Sequence, residues 1–309
     1  MNGYEAVRDG GAGLIDLSER GLIRVSGSEA PMFLNGLVTN DMKSLAESRW
    51  MPAVFPTVQG RLIGVVRIVR LKDGFLIDTE RASHDAVLKT ISRFTMAGDF
   101  KVTDVTDESA IVSLQGKRAG EVVEKVLNTI VTDLPRNGVN EHEGVTIIRA
   151  THTAEDGFDL VFDANRAAEM RPALLDAGAT PVDQETFEIL RIEAGIARFG
   201  RDMDETNVVP ELNLEDAVSY TKGCYVGQEI IVRIKHRGHP AKKLVGLKAD
   251  RPVEPGAIVT SAAVSPKVGN IGLGYVRYEQ VEPGTNVIVD DDVQATVTEL
   301  PFIRGSWYG

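Results

Sequence analysis

The chain has 309 residues, enough for two or three domains, and its 43% hydrophobic and 26% charged residues are ordinary for a globular protein and argue against disorder. Its formal net charge of −11 argues against broad attraction to nucleic acid or anionic membranes, despite a local basic stretch at residues 233–243, RIKHRGHPAKK. A single cysteine, Cys224, excludes a disulfide framework and a CxxC metal site; with no leader pattern and no bilayer-length apolar run, the chain reads as cytoplasmic and not membrane-bound.

In chain order, residues 22–25 (LIRV) read as a strand. Ser28 is the expected cap of a short helix whose buried stripe is Phe33, Leu34 and Leu37. Residues 52–56, 61–71 and 75–78 read as strands separated by turn signals at Gln59-Gly60 and Lys72-Asp73-Gly74. Partial alternation in 61–71 predicts one face on the core. A helix is expected from Ser83 to about Ala97, with Gly98 as its stop. A second strand–helix unit follows at 110–114 and 117–127, then a strand pair at 145–149 and 158–162, then helices at 165–177 and 184–194. This order predicts an α+β fold with ferredoxin-like layers. Short apolar pieces at 244–247, 257–260, 271–276, 287–289 and 295–298, punctuated by Gly and Pro, predict a small antiparallel β-barrel.

The segment richest in chemistry is residues 222–229, KGCYVGQE. Gly223 and Gly227 permit close backbone approach, Lys222 could favour a Cys224 thiolate if the side chains meet, and Tyr225 offers a stacking ring. Gln228 and Glu229 add polar contacts. By residue type alone, a lone cysteine is most often a buried packing group. His236 and His239, in HRGH, lack the neighbours of a metal site and read as part of a basic surface loop.

Residues 222–238, KGCYVGQEIIVRIKHRG, resemble the signature of the YgfZ folate-binding family. Residues 190–200 (LRIEAGIARFG), 15–27 (IDLSERGLIRVSG) and 114–116 (LQG) resemble segments shared by that family and the glycine cleavage T-protein. The resemblance implies a three-domain ring around a folate cavity. The units would be 1–50 with 107–205, 51–106 with 206–243, and a barrel at 244–309. It implies a tetrahydrofolate or a one-carbon derivative as cofactor. Glu193 would hold the pterin edge, with Arg191, Tyr225, Gln228 and Arg233 as further folate contacts, and Cys224 tuned by Lys222 would be the reactive group. By its own chemistry Arg191 could pair with a ligand carboxylate or with a nearby acid. The implied role is support of iron–sulfur enzymes, including tRNA-modifying ones, with iron–sulfur client or assembly proteins as partners. The alternatives are a folate-dependent methyl or aminomethyl transferase and a non-catalytic scaffold. One departure bears on chemistry: the T-protein strand carries paired aspartates where this chain has Gly64 and Val65, in QGRLIGVV at 59–66, so classical glycine cleavage is not expected.

Overall fold

The structure is a computed structural model and describes residues 1–96, 98–290 and 293–309. The first half runs α1 (Gly3–Arg8), β1 (Gly13–Asp16), β2 (Gly21–Ser26), α2 (Ala30–Leu37), β3 (Arg49–Pro56), β4 (Leu62–Leu71), β5 (Gly74–Thr79), α3 (Arg81–Ser92), β6 (Lys101–Asp104), β7 (Ser109–Gln115) and α4 (Ala119–Leu127). It continues through β8 (Val139–His142), β9 (Val145–Arg149), β10 (Gly157–Asp163), α5 (Ala167–Asp176), β11 (Thr180–Val182), α6 (Gln184–Glu193) and α7 (Gln228–Arg237). The C-terminal strands are β12 (Lys242–Ala249), β13 (Val259–Ser265), β14 (Gly269–Arg277), β15 (Asn286–Asp290) and β16 (Val293–Thr298). No helix among the described residues is long and apolar enough to cross a membrane.

Three sheets organise the chain. The first has the order β11-β1-β7-β10-β9-β8, the second β3-β4-β5-β2-β6, and the third β13-β14-β12-β16-β15. The first two sheets stack face to face. Ile15, Ile111, Ile148 and Val161 of the first meet Leu22, Val69 and Leu76 of the second in one apolar cluster. Their outer faces are covered by α4 and α5 on one side and by α2 and α3 on the other. Both faces of each sheet are therefore buried, which explains why the run 61–71 showed only partial alternation: Val66 and Ile68 face the helices while Val69 and Leu71 face the other sheet. Residues between α6 and α7 join a further cluster with Val54 and Leu62 of the second sheet and Leu244, Ile271 and Leu273 of the third.

Local chemistry accounts for the ends of the helices that frame the interior. Asn2 and Glu5 form a reciprocal capping box at α1, with bonds of 2.9 and 3.0 Å. Asp183 caps α6 through the Thr186 amide at 2.7 Å. In the LQG turn, Gly116 has φ +120, and a Cβ there would lie 2.7 Å from the Gly11 carbonyl, so only glycine fits.

Several expectations are revised. Ser28 does not cap α2: its hydroxyl and amide both bond Asp99, and the helix begins after Glu29 without a side-chain cap. The helix expected from Ser83 begins at Arg81 and ends at Ser92, and Ala97 lies outside the described residues. Strand Gly21–Ser26 pairs with β5 and β6, so residues 1–50 supply strands to both of the first two sheets. The segment 228–237, treated as part of a turn and basic loop, is the helix α7.

Candidate functional site

Residues from both stacked sheets, α6 and the loop after it line a cavity of about 200 Å³. Its wall includes Trp50 from β3, Val65 and Arg67 from β4, Asp78 from β5, His152 from the loop after β9, and Phe187 and Arg191 from α6. Trp50 and Phe187 supply aromatic surface, and the Arg67 guanidinium lies 5.6 Å from the centroid of the Trp50 ring.

The polar part of this wall is one continuous chain of alternating charges. Asp159, on β10, is fully buried; it accepts from His152 Nε2 at 2.9 Å and pairs with Arg67 Nη1 at 2.6 Å. Arg67 Nη2 reaches Asp78 at 2.6 Å, and the other oxygen of Asp78 takes Arg20. Arg20 continues to Glu80, Glu80 to Arg198 at 3.1 Å, Arg198 to Glu188 at 3.0 Å, and Glu188 to Arg191 at 2.8 Å. Arg191 ends the chain on the fully buried Asp202 at 2.8 Å. The network draws on both sheets, α6 and the loop after it. Buried charges persist only when paired in this way, because a lone ion loses several kcal/mol of hydration.

The network fixes protonation states. Burial alone would raise the Asp159 pKa, but the neighbouring His152 and Arg67, with hydrogen bonds from His152 and Ser113, outweigh it and hold the carboxyl far below the usual carboxylate range. Burial likewise opposes ionisation of Glu80, and Arg20 and Arg198 overcome it, so this carboxyl too is depressed. Burial would lower the Arg20 pKa, yet Asp78 and Glu80 raise it overall.

The residues singled out in the sequence fall in different places. Arg191 lines the cavity, but its guanidinium is committed to Glu188, Asp202, the Ile196 carbonyl and Ser261, which settles its choice in favour of nearby acids. Glu193 does not line the cavity. It is fully buried, and its carboxylate is saturated by Arg8 at 2.7 Å, Tyr4 at 2.7 Å and Ser265 at 2.5 Å. No acceptor position remains for a pterin, and the carboxylate instead ties α1 and α6 to the third sheet. Burial and the bond to Glu193 push the Tyr4 phenol well above its usual range.

The KGCYVGQE segment is likewise apart from the cavity: none of Cys224, Tyr225, Gln228 or Arg233 lines it. Cys224 is exposed, against the expectation for a lone cysteine. Lys222 does not serve the thiol. Its ammonium donates to the carbonyls of Asn35 at 2.7 Å, Val38 at 3.0 Å and Asn40, closing the C-terminal end of α2, and lies 5.1 Å from the Tyr225 ring centroid. Burial lowers its pKa to about 8. Tyr225 is buried beneath it, with burial raising its phenol to about 12. Gln228 opens α7 and Arg233 is exposed further along it. The rings of His236 and His239 pack on Tyr220 and Tyr278.

At Gly64, one of the two positions where the resemblance expects an aspartate, the structure leaves no room for a side chain. A Cβ at Gly64 would lie 2.7 Å from Val87 of α3, so no carboxylate fits there while α3 packs on β4 as it does. Val65 presents an apolar surface to the cavity.

The chain matches the GCVT N-terminal domain family over residues 2–222 and belongs to that family. It is 32% identical to an aminomethyltransferase of Rubrobacter xylanophilus, over 97% of this chain and 85% of that one. It is 26% identical to a chloroplastic transferase of Arabidopsis thaliana, over 96% of this chain and 72% of that one. Its fold is that of the glycine cleavage system aminomethyltransferase T of Bartonella henselae, with a TM-score of 0.90 and 23% identity over 97% and 88% of the two chains.

Proposed function

We propose that this protein binds a reduced folate with its pterin in the cavity between the first two sheets and acts as a folate-dependent one-carbon transferase, moving a methyl or aminomethyl group. The observation that carries this reading is the cavity itself, a partly open space with aromatic surface and a fixed polar wall in a chain of the GCVT family. Relatives named as aminomethyltransferases favour one-carbon transfer over a purely scaffolding role. Classical glycine cleavage is disfavoured, because Gly64 and Val65 supply no carboxylate to the cavity. A ring of three units would follow from the way residues 206–243 and the third sheet pack against the second. Titration of purified protein with tetrahydrofolate, 5-methyl- and 5,10-methylene-tetrahydrofolate, followed by incubation with methylamine or aminomethyl donors, tests the reading. Binding with a modified folate as product supports it. Absence of binding by every reduced folate overturns it.

A second reading rests on the exposed Cys224 within KGCYVGQE. In it the protein is cytoplasmic and supports assembly or repair of iron–sulfur enzymes, including tRNA-modifying ones, through contact with client or assembly proteins. Complementation of a strain lacking its own YgfZ-like protein, with wild type and Cys224→Ala side by side, separates the readings. Rescue by wild type alone favours this second role, and equal rescue by both removes Cys224 from it.

A further inference from the structure

We infer that His152 and Arg67, joined through Asp159, form an acceptor–donor pair that reads the lactam edge of a pterin, the –NH–C(=O)– unit of its ring. The inference rests on the folate reading above and assigns the edge contact to residues other than Glu193.

The argument begins with Asp159. Its carboxylate is fully buried and ionised, and an ionised carboxylate can only accept hydrogen bonds. His152 Nε2 lies 2.9 and 3.1 Å from its two oxygens, so Nε2 must carry a proton. In the neutral ring the other nitrogen, Nδ1, is then an acceptor, and it has no hydrogen-bond partner among the described residues. The ring is held in place on its other sides. Its backbone amide bonds Gln115 Oε1 at 3.0 Å, and Phe187 packs against the imidazole with centroids 6.4 Å apart.

Arg67 supplies the complementary group. Both of its terminal nitrogens are used, Nη1 by Asp159 and Nη2 by Asp78, but Nε is buried with no partner. A buried, unpartnered N–H costs about 1–3 kcal/mol, and a ligand carbonyl would remove that cost. His152 and Arg67 both line the cavity, and their bonds to the same Asp159 carboxylate hold the two residues side by side on its wall. A lactam presents the matching set, an N–H to donate and a carbonyl to accept.

Most other charged groups of the cavity are already occupied, Asp16 by Arg171 among them; of the lining acids, Glu19 has no ion pair among the described residues. Asp78 and Glu80 from the end of the second sheet, Arg20 from the turn before β2, and Arg191 and Arg198 from α6 and its following loop are each in ion pairs. Such a wall suits a neutral ring better than a charged group.

The test has two independent arms. In the first, the ligand-free protein is labelled with 15N-histidine and the imidazole shifts are recorded from pH 5 to pH 8. Nε2–H in the neutral ring of wild type, altered in Asp159→Asn, is expected; Nδ1–H in wild type overturns the inference whether or not folate binds. In the second, tetrahydrofolate is titrated over the same pH range. His152→Phe, which removes the acceptor, and Arg67→Lys should each bind about threefold to tenfold more weakly than wild type. Folate binding with identical affinities in all three proteins overturns the inference and leaves the folate reading standing. No binding by wild type at any pH overturns the folate reading, and the tautomer is then judged by the first arm alone.

Discussion

The wall of the central cavity and the KGCYVGQE segment hold similar side-chain chemistry, and the fold uses them differently. In the cavity, His152, Asp159, Arg67, Asp78 and Arg20 come from separate strands and turns and meet in one buried network. In the segment, Lys222, Cys224 and Tyr225 are adjacent in sequence but turn to three different tasks: closing a helix end, facing solvent, and filling the core. Nearness in sequence gave a visible motif without a shared cavity. Convergence of scattered residues gave the cavity without a visible motif.

The largest expected effect breaks the network. Asp159→Ala leaves Arg67 and His152 facing a buried vacancy and should cost about 3–5 kcal/mol of unfolding free energy, read by chemical denaturation with circular dichroism. Glu193→Ala should cost less, about 1–3 kcal/mol, because the buried Arg8 loses one carboxylate partner and keeps Glu155 and the Thr153 carbonyl. The folded fraction of that variant should still bind reduced folate as wild type does; selective loss of binding without loss of stability would return Glu193 to the ligand site.

The network should also make the fold acid-sensitive. The folded pKa of Asp159 lies below its ordinary value of 3.8, so ionisation stabilises the native state above that pH. The contribution is lost as pH falls from about 4 through the folded pKa. Denaturation midpoints measured from pH 6 down to pH 2 should decline, and Asp159→Asn should flatten the decline.

Smaller effects are expected in the segment. Lys222→Met leaves helix-end carbonyls unpaired and should cost about 2 kcal/mol. The rate of Cys224 with a thiol reagent should stay within about twofold, because the ammonium serves the carbonyls of α2 rather than the sulfur. A tenfold drop in that rate would restore the lysine–thiol pairing. Cys224→Ala should change stability by less than about 0.5 kcal/mol, as for other exposed positions.

Much of the scaffold was legible because hydrophobic periodicity marks its elements. The strand at 145–149 and the start of α6 at Gln184 fall where apolar spacing and flanking turns put them. α1 was missed although Asn2 and Glu5 spell its capping box, and α7 was missed because a glycine-rich motif drew attention from the helical spacing of Ile231 and Ile234. The site was less legible. Arg67, Asp78 and Asp159 interrupt apolar strands, and opposite charges within buried runs are a recognisable sign of a buried ion pair. Their pairing depends on strand register across two sheets, which local spacing does not encode. The partners of Glu193 were not legible for the converse reason: its apolar neighbours correctly indicated burial, but Arg8 and Ser265 come from distant parts of the chain.

Hydrogen–deuterium exchange with and without tetrahydrofolate compares the two regions in one experiment. Ligand should slow exchange in peptides covering residues 15–20, 63–68, 148–153 and 184–203, with no change at 222–229. Protection confined to 222–229, with the cavity peptides unaltered, would contradict the placement of folate between the two sheets.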